Sequence, residues 1–358
     1  MKRKTFAALI VALTMTPSVS NAQSQRSSNA PHVGGFYAST DGSYQSIALP
    51  SVGNFGFQGL LPATSVLGGS EQHSPRLDGY GVAGGFGYVF APGVFAPAWG
   101  SNVRLEFGGG YIHANGTSVA ASGAATNVNL TALPLTGIAP GIAGCGGSTC
   151  STQSTLTSDY TSWNVHLTGK SDFRVGTVTV TPSIAVLFGH GQTDQQFAQQ
   201  LYSDGAPYPG GPSLWGYNLN AALNWDDAGA KVGLTTVYDL TQVFSAGLGG
   251  TVGVVHRSAS MSASSSFLFG SLVPRLSAMQ DSQTTASLLA NIEASLGVRL
   301  ASNITARGFV GLNYDSSVPG IAAPQSQAFT VSGYPAHIKF DPTTSYYAGG
   351  KLTVNFAP

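Results

Sequence analysis

Apolar and polar residues alternate one by one along most of this chain. The cleanest run is Thr177 to His190, where Val178, Val180, Ile184, Val186 and Phe188 oppose Thr177, Thr179, Thr181, Ser183 and Ala185. A period of two places one set on each face of an extended strand. The same pattern predicts strands over Val33–Leu49, Leu77–Phe90, Val103–Tyr111, Trp163–Thr168, Leu219–Leu240, Phe244–Arg257, Asn291–Leu300, Ile304–Tyr314 and Tyr346–Phe356. That makes about ten strands, and eight to twelve are admissible because weak segments are easily split or missed. Between them lie Gly-, Ser- and Pro-rich stretches at Pro50–Ser74, Asn115–Ser158, Gln192–Pro212, Ser258–Gln283 and Val318–Lys339, read as long loops. Short turns are expected at Lys170–Val175, Thr241–Gln242 and Ala301–Asn303. The connections therefore alternate between long and short.

Composition changes what the strands must face. Charged residues are 8% of the chain, against 42% hydrophobic, with 47 glycines and 10% aromatics. A water-soluble domain carries about a quarter charged residues. The aromatic and β-branched content argues against disorder. Lipid is left as the partner of the apolar faces. No apolar run reaches the roughly 20 residues of a spanning helix, so strands must do the spanning, and in lipid only a closed barrel satisfies their backbone.

The N-terminus reads as an export signal: Lys2, Arg3 and Lys4, an apolar run from Phe6 to Met15, then Ser20-Asn21-Ala22. Residues 1–22 are the expected signal peptide, 23–31 a short polar leader, and 32–358 the barrel. Removing the signal leaves 12 basic and 15 acidic residues, a net charge of −3 (from 15 and 15, less the three basic residues named). No basic patch suggests nucleic acid. Cys145 and Cys150, in a Gly/Ser/Thr-rich stretch of an exported chain, are expected to form a small disulfide loop. A metal site there would lack its remaining ligands.

The last strand carries the family likeness. Leu352, Val354 and Phe356 share one face, with Lys351, Thr353 and Asn355 on the other and aromatics at the start. The pattern Tyr347-x-Gly349-x-x-Leu352-x-Val354-x-Phe356 resembles the closing strand of Gram-negative outer-membrane β-barrels, although Ala357 and Pro358 follow it. The likeness implies a transmembrane, antiparallel, up-and-down barrel with short periplasmic turns and long extracellular loops, and recognition of this strand by the barrel-assembly machinery. The stretch from Trp225 to Ser260 is similar to hairpins of pore-forming major outer-membrane proteins and, less closely, of autotransporter barrels. The latter carry a passenger ahead of the barrel, and the first strand here begins at Val33. Nothing in the residues gives an oligomeric state.

Turning the apolar faces outward directs Arg104, Glu106, His166, Lys170, Asp227, Lys231, Asp239, Arg257, Glu293, Arg299, Arg307 and Lys351 inward. With seven basic and four acidic groups, a porin-like reading is a narrow, weakly anion-preferring path for small solutes or ions. The competing reading is a network of bridges filling a small barrel, with Glu293 paired to Arg299 or Arg307. In that case the loops, above all Asn115–Ser158, would carry the function as an adhesive or structural surface. Tyr80, Tyr88, Phe90, Tyr111, Trp163, Tyr238, Tyr314, Tyr346 and Phe356 fall near strand ends, as membrane girdles do.

No catalytic constellation is expected. Outer-membrane proteases of similar size use close acid pairs and an Asp–His couple, and this chain has neither Asp-x-Asp nor Asp-x-His. Asp226 and Asp227 are adjacent and must point to opposite faces. There is no Gly-x-Ser-x-Gly elbow. Gly169-Lys170-Ser171 lacks the upstream glycine of a phosphate loop, since Asn164 stands there. His73, His113, His190, His256 and His337 are scattered, without metal-ligand spacing, and no cofactor is implied.

Overall fold

In the computed structural model, residues 34–356 are described, apart from 54, 61–71, 92–93, 95–101, 122–124, 127–128, 134, 136–142, 145–148, 208–215, 268–274 and 327–332. The expected signal peptide, leader and Cys145 lie outside the described residues. Ten long strands form the body: β1 (Gly35–Ala48), β2 (Arg76–Val89), β3 (Asn102–Ala121), β4 (Thr149–Val175), β5 (Val178–Ser203), β6 (Gly216–Asp239), β7 (Phe244–Phe267), β8 (Arg275–Ala301), β9 (Ile304–Ala322) and β10 (His337–Phe356). Each pairs antiparallel with the next, and β10 pairs with β1 through Phe36–Phe356, Ala38–Val354 and Thr40–Leu352. The ring is closed, so no long strand keeps a free edge. The expected all-β, up-and-down barrel is the observed fold, and Leu352, Val354 and Phe356 do lie on its seam with β1.

The short connections gather at one end, at residues 176–177, 240–243 and 302–303, with 90–101 beside them. The long ones gather at the other. Gly176 adopts a positive φ of 62° in the tight turn after β4. The expected turn at Lys170–Val175 is instead the end of β4 itself.

The strands also run further toward the loop end than the sequence predicts. Much of Asn115–Ser158, Gln192–Pro212, Ser258–Gln283 and Val318–Lys339 is strand, because β3 reaches Ala121, β4 starts at Thr149, β5 reaches Ser203, β7 and β8 extend to Phe267 and from Arg275, and β10 starts at His337. The reason is visible on β7. From Phe244 to Val254 its outward positions are Phe244, Ala246, Leu248, Val252 and Val254, interrupted only by Gly250. From His256 to Ser266 they are His256 and then Ser258, Ser260, Ser262, Ser264 and Ser266. The inward positions change the opposite way, from Ser245, Gly247 and Gly249 to Ala259, Met261, Ala263 and Phe267. The pattern inverts above Val254, as expected of a strand that passes from lipid into water. Beyond that level polar residues cover the outside, and the serine run mimics a loop in sequence.

The apolar outer band is completed by Val82, Phe86, Phe107, Ile184, Val186, Phe188, Val232, Leu234, Ile292, Leu296 and Val310, all exposed. On β7 it spans eleven residues, from Phe244 to Val254, the length a tilted strand needs to cross a hydrocarbon core. Aromatics edge it on both sides. Phe36 stacks on Phe86 and meets Tyr88 edge-on near the turn end. Tyr80 lies against His113, and Trp163 stacks on His190, toward the loop end.

Candidate functional site

The candidate site is the barrel interior, which is built in layers. Nearest the loops, a buried apolar core fills the lumen. Leu156, Phe197, Leu201, Tyr217, Leu219, Leu223, Met261 and Phe267 come from β4 to β7, and Ile321 and Ile338 from β9 and β10. Val52, Phe55 and Leu135, from the connections at this end, join the same cluster. The connections are tied over it by short ladders, Gly56–Leu60 pairing with Asn129–Leu133 and that with Ala143–Gly144. Cys150 is buried in this core and disulfide-bonded.

Beneath it sits a charged layer. Arg257 is 2% exposed and makes two parallel hydrogen bonds to Asp227, both 2.8 Å. It also donates to Asp315 at 2.9 and 3.1 Å and to the Ser317 carbonyl at 2.6 Å. A bulge in β9 between Asp315 and Val318 brings both of those partners to the guanidinium. The Trp225 ring lies 5.9 Å from it, and Ser287 donates to Asp315 at 2.6 Å. A planar fork suits bidentate carboxylates and an aromatic face together.

A cavity of about 650 Å³ opens below, with Tyr160, Trp225 and Arg257 at its ceiling. His166, Lys170, Lys231, Glu106, Glu293, Arg307 and Lys351 line it. Lys170 donates to Glu106 at 2.9 Å, and Tyr37 donates to the same oxygen at 2.7 Å. Tyr347 donates to Glu293 at 3.1 Å and accepts from Asn291 at 2.7 Å. Nearest the turns, Arg104 bridges Asp172, which also accepts from Thr181 at 2.7 Å.

Large inward side chains tend to face a glycine across the ladder. Tyr37 stands opposite Gly87, Tyr347 opposite Gly311 and Trp225 opposite Gly191. A Cβ on any of the three glycines would sit 2.2–2.4 Å from the ring. These three glycines make space for rings that lie flat on the inner wall.

Ten of the twelve lumen candidates point inward: Arg104, Glu106, His166, Lys170, Asp227, Lys231, Arg257, Glu293, Arg307 and Lys351. Asp239 and Arg299 sit instead at the turn-end rim. Asp239 pairs there with Arg174 at 3.4 Å, and Arg299 is exposed. Glu293 forms no ion pair with Arg299 or Arg307 among the described residues. Its contact is Tyr347, because the tyrosine lying over Gly311 reaches it first. Three inward acids escaped the sequence reading: Asp41, Asp172 and Asp315. Asp172 lay in the expected turn and Asp315 just past a predicted strand end, and the alternation of β1 could have located Asp41. Among the described residues below the apolar core, the lumen then holds six cations (Arg104, Lys170, Lys231, Arg257, Arg307, Lys351) against six anions (Asp41, Glu106, Asp172, Asp227, Glu293, Asp315), with Asp281 a further inward carboxylate at core level. The excess of positive charge expected for an anion-preferring path is absent from the total.

Two His–Asp contacts do form across neighbouring strands, His190–Asp226 at 2.9 Å and His113–Asp159 at 3.7 Å. Both lie on the outer surface at the upper edge of the apolar band. Asp226 faces out while Asp227 faces in. Among the described residues no cluster of three or more His, Cys, Asp or Glu could hold a metal.

No protein-family model matches the chain, and neither does any curated protein. Solved structures align along its length. The outer membrane protease OmpT of Escherichia coli aligns over 90% of this chain and 97% of its own, at 9% identity and a TM-score of 0.43. A FadL homologue of Pseudomonas aeruginosa aligns over 90% of each chain, at 11% identity and a TM-score of 0.20. The toluene transporter TodX of P. putida aligns over 92% of this chain and 91% of its own, at 8% identity and a TM-score of 0.22. These identities and scores are too low to transfer a site or an activity.

Proposed function

We propose that the chain is an integral outer-membrane barrel that is closed at its extracellular end and works through the part that projects from the membrane. The apolar band supports membrane residence, and the export signal read in the sequence supports the outer membrane. Short turns would face the periplasm and long connections the exterior. The C-terminal strand, with Tyr347 and Gly349 inward and Leu352, Val354 and Phe356 outward, would present the assembly signal while it closes against β1.

The observation that carries closure is the buried apolar cluster in which Phe197, Tyr217, Met261 and Phe267 of β5 to β7 join Ile321 and Ile338 of β9 and β10 and Phe55 and Leu135 of the connections. Side chains each 3% exposed or less would obstruct a water path at this level. The upper strands and their connections then offer the working surface, for adhesion or for contacts within the envelope. Removing residues 122–148 should abolish binding of the reconstituted protein to host or envelope surfaces while heat-modifiable migration of the barrel persists. Unchanged binding would sink the surface role.

A second reading, porin-like passage of small solutes or ions, is favoured by the polar cavity of about 650 Å³. It requires the upper core to move aside. Proteoliposomes should resist swelling in small neutral sugars if the core stays closed, and swell if the second reading holds.

A further inference from the structure

The lumen pairs most of its charges closely. Arg257 has two carboxylates, and Arg104 has Asp172. The cavity around His166 departs from that rule. Lys170 from β4, Lys231 from β6 and Lys351 from β10 all lie within electrostatic reach of its imidazole, and Glu106 is the carboxylate that shares the spot. Glu106 is already taken by Lys170 and Tyr37. Asp227 and Asp315 act on Lys231, and Asp41 and Glu106 on Lys351, only from a distance: neither lysine makes an ion pair within 4 Å among the described residues. In the ladder Lys351 stands between Arg307 on β9 and Asp41 on β1, so one neighbour repels its ammonium and the other attracts it. Two glycines shape the spot. A Cβ at Gly108 would come 2.6 Å from the His166 ring, and one at Gly253 would come 2.4 Å from Lys231. Both are direct ladder partners of the side chain they accommodate.

We propose that this part of the cavity is a binding site for a small oxyanion, a phosphate or a carboxylate group on a small solute, held by Lys231 and Lys351 with Lys170 and His166 beside it. Ammonium groups act as point charges toward such oxygens, and a partly enclosed cavity strengthens their pull. The lumen charge below the apolar core is balanced, so the site arises from where the charges stand. Its ligand would arrive from the turn end, where inward positions on β6 to β8 are small: Thr235, Gly247, Gly249, Ser295 and Gly297. The site therefore does not depend on whether the loop end opens.

Isothermal titration of inorganic phosphate into the refolded full-length barrel in detergent tests it. Saturable binding is expected, weakened about tenfold by Lys231→Gln and again by Lys351→Gln. Lys339→Gln, which removes an ion pair with Asp341 outside the cavity, should leave it unchanged. Heat-modifiable migration confirms that each variant is folded. No binding, or binding indifferent to Lys231 and Lys351, overturns the site. A conducting barrel that still binds phosphate through these lysines would overturn closure and leave the site standing.

Discussion

Arg257 grips Asp227 through two hydrogen bonds of equal length, at the level where the lumen turns from polar to apolar. With Asp315 on its other flank, the guanidinium is, among the described residues, the one cation within 4 Å of either carboxylate. Removing one partner of a buried pair strands the other's charge. Arg257→Ala is therefore expected to destabilise the barrel by about 3–5 kcal/mol. Urea unfolding in detergent micelles would measure it, and a loss under 1 kcal/mol would show that water already solvates the layer.

The inner-wall glycines give a second prediction. Gly311→Ala puts a methyl into the Tyr347 ring and should cost about 1–3 kcal/mol. Adding Tyr347→Ala should recover part of that loss, since the methyl meets that ring but also comes 2.6 Å from the Ile292 carbonyl oxygen. A double-mutant cycle reads the coupling directly. Additive losses would mean that the glycine is needed by the backbone and not by the tyrosine.

The inversion of pattern on β7 predicts where lipid ends. Leu248→Arg, in the middle of the outward apolar run, should destabilise insertion by about 2–4 kcal/mol. Ser262→Arg, on the same face and strand, should change it by less than about 0.5 kcal/mol. Folding titrations into lipid vesicles distinguish the two. Equal penalties would place Ser262 in the membrane.

The legible part of this chain was the part in lipid. There one rule, apolar out and polar in, governs every strand, so ten segments and their order could be read, along with ten inward-facing lumen residues. Above the lipid the rule reverses. Ser258 to Ser266 outside and Ala259 to Phe267 inside form a strand whose outer face looks like a loop, so β7 and β8 were cut short. The lumen chemistry was harder for a different reason. Alternation says that Glu293 and Arg307 both face inward, yet which groups touch depends on ring placement and on bulges. Tyr347 reaches Glu293 because Gly311 lets it lie flat, and Asp315 reaches Arg257 because β9 bulges beside it. Neither feature has a signature at the level of single residues.

The upper core makes a prediction about opening. Phe197, Tyr217 and Phe267 form a row on the neighbouring strands β5, β6 and β7, the Tyr217 ring centroid lying 6.1 Å from that of Phe197 and 6.3 Å from that of Phe267. Replacing Phe197 and Phe267 together with alanine should cost about 6–10 kcal/mol if the losses add. Variants that remain folded should gain access for water-soluble thiol reagents at a cysteine introduced at Ala263, where the parent protein is protected.

Single-channel recording of the refolded protein in a planar lipid bilayer tests closure most directly. The parent barrel should give a silent trace, and the Phe197→Ala/Phe267→Ala variant discrete openings. Steady conductance steps from the parent protein would contradict the closed barrel and make the lumen a path.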